Sequence, residues 1–235
     1  FFPGSYGKVD STESLCRLED FSALITFWPT RPGTSKQTLI SHQDSTSGWS
    51  LFLDDEGCLA AELGKAGDTQ KFRLEGSLRE RKWYQAWLTY DAQTSKLTLG
   101  KAILDPGLKS EDQTGSSLDY AFESVSQEIP FLIGAQFSGP IDSHFNGKLE
   151  EPKIFSRSLN QQEIEQAFSG KIPDGLLARW DFSREIPTSR MIDLGPENLE
   201  GSLVNCPARG MTGSCWNGKE MCWRHAPEDY GAIHF

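Results

Sequence analysis

The sequence predicts an all-β fold, an antiparallel two-sheet sandwich with one short helix. Three observations carry that expectation. Several runs alternate with period two, most plainly Trp83, Gln85, Trp87 and Thr89 against Tyr84, Ala86, Leu88 and Tyr90. Clusters of Pro, Gly, Asp and Ser separate these runs at short intervals. A single helical signature occurs: Asn160 as N-cap, Glu163 three residues on in the capping-box place, and Gly170 then Pro173 beyond the last turn.

In chain order, the expected strands begin with Phe21 to Trp28, where Ala23, Ile25 and Phe27 alternate with Leu24, Thr26 and Trp28. Both faces are partly apolar, as a central sandwich strand requires. Gln37 to His42, Trp49 to Leu53 and Cys58 to Leu63 continue an antiparallel meander, with Gly57 free to take positive φ in the turn Asp54 to Gly57. Phe72 to Leu78, Trp83 to Tyr90 and Leu97 to Leu104 follow. Asp105 to Gln127, with Pro106, Gly107 and Gly115, is the longest irregular stretch, and Pro130 to Phe137 is the next strand. Glu150 to Phe155, the helix Gln161 to Phe168 and the strand Leu176 to Phe182 complete the sandwich. Asp193 to Leu203 reads as a return loop with a short strand. From Asn205 the texture turns to Gly, Trp, Cys and His without either period. The expected division is therefore a sandwich over 1–204 and an irregular tail over 205–235 that docks on it or leads to a further domain.

The stretch Phe145 to Ile164 resembles the late strand of concanavalin A-like, laminin-G-like jelly rolls. Phe145, Gly147, Leu149, Glu150, Glu151, Ile154, Phe155, Arg157, Leu159, Glu163 and Ile164 stand where that pattern places them. Trp83 to Asp91 and Gly134 resemble two further motifs of the same family, with Ala86 where a bulkier residue is common. The resemblance implies the fold and leaves the activity open, since the fold carries lectins, hydrolases and docking modules alike.

Composition narrows the partners. The formal charge is -10, from 33 acidic and 23 basic residues, and the longest basic run is Arg79 to Lys82, broken by Glu80. Phosphate binding needs concentrated positive charge, so nucleic acid is not expected. No apolar run approaches the ~20 residues of a membrane span. Five cysteines without framework spacing favour a cytoplasmic location, with a Cys215–Cys222 bridge left open. The absence of an initial Met and the apolar last residues Gly231 to Phe235 lead us to expect a piece of a longer polypeptide.

Three constellations can carry chemistry. Paired carboxylates on one strand face would flank a glycosidic bond, but Glu150 and Glu151 are adjacent, and strict alternation sends them to opposite faces. Asp44, Asp54 and Asp55 offer hard oxygen ligands for calcium in two turns, against the commoner role of Asp in capping turns. In the tail, His225, Glu228, Asp229, Tyr230 and His234 include metal-ligand types. Trp216, Trp223, His225 and Tyr230, with Trp49 beside the turn Ser45 to Gly48, are candidate ligand or interface residues. Trp28, Trp83, Trp87 and Trp180 are read as core. His42 and His144 have no nucleophile-elbow partner in sequence.

The tail carries a second resemblance. Asn205 to Gly213, then Trp216, Gly218, Trp223, Ala226-Pro227 and Tyr230 to Phe235, is similar to the segment leading out of the jelly roll in the large subunit of N,N-dimethylformamidases. The resemblance implies a non-catalytic module of an amide hydrolase. Its mononuclear iron would lie in a later domain, and its contacts would be with neighbouring domains and subunits. The rival reading is a carbohydrate-binding module, with calcium as the conceivable cofactor.

Overall fold

The computed structural model describes residues 4–117, 119–126, 128–215 and 231–235. The chain opens with β1 (Tyr6–Val9) and a single turn, α1 (Glu13–Cys16), then runs through β2 (Phe21–Pro29), β3 (Gln37–Gln43), β4 (Gly48–Leu53), β5 (Leu59–Lys65) and β6 (Asp68–Arg73). β7 (Tyr84–Asp91), β8 (Lys96–Ile103), a 3-10 turn over Pro106–Glu111 and β9 (Gln113–Ser117) follow. Next come β10 (Phe131–Ile133), the short pair β11 (Gln136–Phe137) and β12 (Ile141–Asp142), and the long β13 (Gly147–Phe155). Helix α2 (Gln161–Phe168) leads to β14 (Leu176–Asp181), β15 (Arg190–Asp193), β16 (Gly201–Val204), β17 (Ala208–Met211) and β18 (Ala232–His234).

All pairings are antiparallel, and the main path runs β6-β5-β4-β3-β10-β1-β16-β15-β14-β13-β2-β7-β8-β9. Residues from both ends of this path share one core: Trp49, Leu51 and Leu53 of β4 face the same cluster as Tyr84, Ala86, Leu88 and Tyr90 of β7. The expected alternation in β7 therefore holds, and the two-sheet jelly-roll sandwich is the observed fold. Trp180 Nε1 donates to Leu199 O at 2.7 Å, which satisfies the indole N–H of a fully buried ring. On the outer face of β2, β7 and β13 a smaller cluster of Leu24, Trp87 and Phe155 is covered by Leu159, Ile164 and Ala167 from α2 and its lead-in. The helix starts as predicted: Asn160 Oδ1 accepts from Glu163 N at 3.0 Å and Asn160 N donates to Glu163 Oε2 at 2.9 Å, a complete capping box.

The sequence reading departs from the structure where strands are polar or interrupted. β6 is mostly exposed and lies at one end of the path, so it shows no apolar alternation, and the expected strand from Phe72 to Leu78 is displaced toward Asp68. β9, at the other end, forms inside the stretch read as irregular. The expected strand Pro130 to Phe137 breaks at Gly134, whose φ of +81° ends β10 before β11 begins.

The tail is not wholly irregular. β18 pairs with β13 through Lys148↔His234, Leu149↔Ile233 and Glu150↔Ala232, and β17 pairs with β18. Arg209 fastens β17 to the loop after β14, its guanidinium donating to the carbonyls of Phe182, Arg184, Glu185, Thr188 and Arg190. The five carbonyls converge on Nη1 and Nη2, while Nε has no partner among the described residues, and these contacts fix where the tail lies.

Candidate functional site

β13 is the strand on which two others diverge. Along Lys148 to Glu150 its far edge pairs with β18, and along Lys153 to Phe155 with β14. Between these segments the strand bulges: Glu150 stands opposite Thr26 and Lys153 opposite Leu24, so Glu151 and Pro152 together face the single Ile25. Glu151 takes φ +50°, the left-handed conformation of such a bulge. Pro152 has no N–H to give to a ladder, which is why it is tolerated at this interruption.

The bulge overturns the expected separation of the two carboxylates. One cleft of about 410 Å³ opens where β14 and β18 part, and Glu150, Glu151, Arg179, Thr26 and Ser214 all line it. Glu151 Oε2 lies 2.6 Å from Lys153 Nζ, while Oε1 accepts from Arg179 through Nε at 2.6 Å and also through Nη2. Both oxygens of Glu151 are thus engaged by cations. Lys153 is 1% exposed, and burial depresses its pKa although the Glu151 charge opposes that. A buried ammonium without a counterion would be several kcal/mol too costly, so Glu151 is the group that permits Lys153 to lie there.

Glu150 is held differently. Its Oε2 accepts from Ser214 N at 3.0 Å and from Ser214 Oγ at 2.5 Å, tying β13 to the tail. Burial raises its pKa; the two Ser214 hydrogen bonds pull the other way and the neighbouring Glu151 charge adds to the rise. The pair therefore comprises one carboxylate serving as counterion to two cations and one latching the tail. Lys153, Arg179 and Ser214 were not singled out from sequence. Pro152 inside an otherwise regular strand was the available signal of a bulge.

The other predicted residues are dispersed. Asp44 Oδ1 accepts from Thr46 N, Thr46 Oγ1 and Ser47 N at 2.7, 2.8 and 2.9 Å, capping the β3–β4 turn. Asp54 Oδ1 accepts from Glu56 N and Cys58 N, and its Oδ2 meets Arg73 at 3.1 Å, in the β4–β5 turn. Asp55 lies in that second turn. The two turns sit at opposite ends of the six-residue β4, roughly 20 Å apart at strand rise, so the structure does not bring Asp44 together with Asp54 and Asp55. Among the described residues no group of three or more His, Cys, Asp or Glu is placed to hold a metal ion, so no step is assigned to calcium or iron. Trp49, expected at the rim, is 1% exposed and stacks on Phe21 with centroids 4.7 Å apart; a core position replaces the candidate contact role. Trp216, Cys222, Trp223, His225, Glu228, Asp229 and Tyr230 lie outside the described residues, and with them the Cys215–Cys222 question.

His42, read as lone, has a partner. Its Nε2 is 3.0 Å from Ser11 Oγ, which is 3.0 Å from Cys16 Sγ. Burial drives the His42 pKa down to about 4, so the ring is neutral at pH 7, and at 2% exposure the contact is internal packing. No helix among the described residues is long and apolar enough to cross a membrane.

Known proteins resemble this chain at two levels. The β subunit of N,N-dimethylformamidase from Paracoccus aminophilus is 29% identical over 258 aligned residues, spanning 99% of this chain and 34% of its own length. That from an Alcaligenes species is 28% identical with the same coverage. The chain thus spans about a third of these relatives. Among solved structures, a Bacteroides ovatus protein provisionally assigned to carbohydrate binding matches with TM-score 0.64 at 17% identity, over 86% of this chain and 56% of that one. The CBM40 of the Ruminococcus gnavus IT-sialidase, solved with alpha2,3 sialyllactose, matches with TM-score 0.55 at 18% identity, over 71% and 94%. Such identities speak for the fold alone. The family model of the concanavalin A-like lectin/glucanases superfamily matches residues 3–165, more than half of the chain. With the two-sheet sandwich, that match places the chain in the concanavalin A-like lectin/glucanases superfamily.

Proposed function

We propose that this chain is a non-catalytic, lectin-like interaction module of an amide hydrolase resembling N,N-dimethylformamidase, with the hydrolytic iron centre in another part of the protein. The observation that carries this reading is the extent of similarity to the two β subunits, 99% of the chain, which takes in the tail beyond residue 165 as well as the sandwich. The chemistry of the fork, the point on β13 where β14 and β18 part, supports it. A glycosidase pair needs one carboxylate free to attack or to activate water, and Glu151 has both oxygens committed to Lys153 and Arg179. The module's work is then contact with neighbouring domains and subunits of a cytoplasmic enzyme.

The test is assembly. The whole protein that contains this chain is compared by analytical ultracentrifugation with a version lacking residues 1–235. The reading expects the deletion to lower the assembly state or abolish association with a partner subunit. An unchanged assembly with intact hydrolysis would overturn it.

A further inference from the structure

Strand β13 begins at Gly147, and the residue before it is Asn146. Asn146 is exposed, and its carboxamide makes no hydrogen bond to a described residue. Its backbone is fully engaged: Asn146 N donates to Gln37 Oε1 at 3.0 Å, and Asn146 O accepts from Thr30 N at 2.9 Å. The fold demands the glycine that follows, because a Cβ at Gly147 would stand 2.2 Å from Trp28 O and 2.8 Å from the Phe145 ring. An asparagine that packing does not use therefore precedes a glycine that packing requires.

The Gly147 amide is tied to the tail. Gly147 N donates to Phe235 O at 3.3 Å and Gly147 O accepts from Phe235 N at 3.0 Å, which extends the β13–β18 ladder by one pair. The first of these bonds is long for N–H···O. β18 has three residues, and it is held by Ile233, fully buried opposite Leu149, and by the Phe235 ring against Gly134 and Phe182. So short a strand can open locally at less cost than global unfolding.

We infer that Asn146–Gly147 is a self-modification site, an imide-forming pair that β18 holds closed while it is docked on β13. A glycine nitrogen is open to attack by or on its neighbours because no Cβ shields it. The Gly147 nitrogen gives its proton to hydroxide and attacks Asn146 Cγ; the Cγ–Nδ2 bond breaks and ammonia leaves, taking a proton from water. Water then opens the five-membered imide at either carbonyl, leaving aspartate or isoaspartate. The sum is asparagine and water to acid and ammonia. In the docked state the ring cannot close, since turning the peptide takes Asn146 O from Thr30 N, and the nitrogen still shares its proton with Phe235 O. Isoaspartate carries the main chain through Cβ and Cγ, one methylene longer, so the Thr30 and Phe235 contacts cannot both re-form. A reversible opening of the tail strand thereby becomes a permanent one. This device is independent of the hydrolase reading, which concerns what the docked module contacts.

The experiment incubates the folded protein, the same protein in urea, and the folded variants Phe235→Ala and Asn146→Gln at mildly alkaline pH. Conversion is read by mass spectrometry of the peptide that contains Asn146 and by methyl transfer to isoaspartate; Asn217 also precedes a glycine, so the label is assigned peptide by peptide. Asn146 should convert at least about tenfold faster in urea than in the fold, and at least about threefold faster in Phe235→Ala than in the wild type, with the β7 amides still protected from hydrogen exchange. Asn146→Gln should take no label at this position. Ile233→Ala is the second variant should Phe235→Ala fail to fold. In the converted fraction the Phe235 amide should exchange freely. No conversion at Asn146 in urea, equal rates in the folded and unfolded protein, a rate indifferent to both tail variants, or a Phe235 amide still protected after conversion would each overturn the inference.

Discussion

Removing the charge of Glu151 tests the reading of the fork in depth. Glu151→Gln keeps the shape of the side chain and leaves Lys153, 1% exposed, beside a neutral amide. Breaking a buried ion pair from one side typically costs ~3–5 kcal/mol; Glu151 is itself 31% exposed, so water recovers part of that and ~2–3 kcal/mol is expected. For a chain of this length the loss corresponds to a fall in Tm of ~5–10 °C. Lys153→Met removes the buried cation, and the double variant then no longer strands it. Urea unfolding of all four proteins should give a coupling energy of at least ~1.5 kcal/mol, with the double variant more stable than the sum of the singles predicts. A loss below ~0.5 kcal/mol in Glu151→Gln, or coupling near zero, would refute the claim that Glu151 is the counterion that holds the fork.

Two further predictions concern pH. The His42 pKa is lowered from 6.5 to about 4, so the unfolded chain binds more protons between those values. His42 thus contributes stability that is present above pH 6.5 and is lost toward pH 4, about 3 kcal/mol in all; His42→Gln should flatten the acid limb of a plot of Tm against pH, and an unchanged limb would refute the assignment. The Glu150 pKa is raised from 4.5, the opposite sign, so its contribution is full below pH 4.5 and is lost as pH rises through the folded value. The stability of the wild-type chain relative to Glu150→Gln should accordingly fall as pH rises above 4.5, and a difference independent of pH would count against the burial of that carboxyl.

The parts of the fold that announced themselves in sequence are those where one physical pattern dominates. Tyr84, Ala86, Leu88 and Tyr90 alternate because β7 buries one face against the main core, and Asn160 with Glu163 marks a helix start because two orphan N–H groups are satisfied locally. β6 and β9 stayed hidden because they end the strand path and half of their residues are solvated. β17 and β18 were missed for another reason. They are three or four residues long, and they exist through pairing with β13 and the Arg209 contacts, which are long-range. The site was less legible than the fold. Strict alternation separated Glu150 from Glu151, whereas a single inserted residue at Glu151 turned both into one cleft. A left-handed Glu gives no compositional cue of the kind a glycine would. Trp87 looked like core and is buried, but against α2 on the outer face with its N–H unpaired.

Release of dimethylamine from N,N-dimethylformamide tests the central claim most directly, measured side by side for the whole protein that contains this chain and for the chain alone. The account predicts steady release by the whole protein and none above buffer by the folded chain. Turnover by the chain alone, abolished in Glu150→Gln, would contradict it.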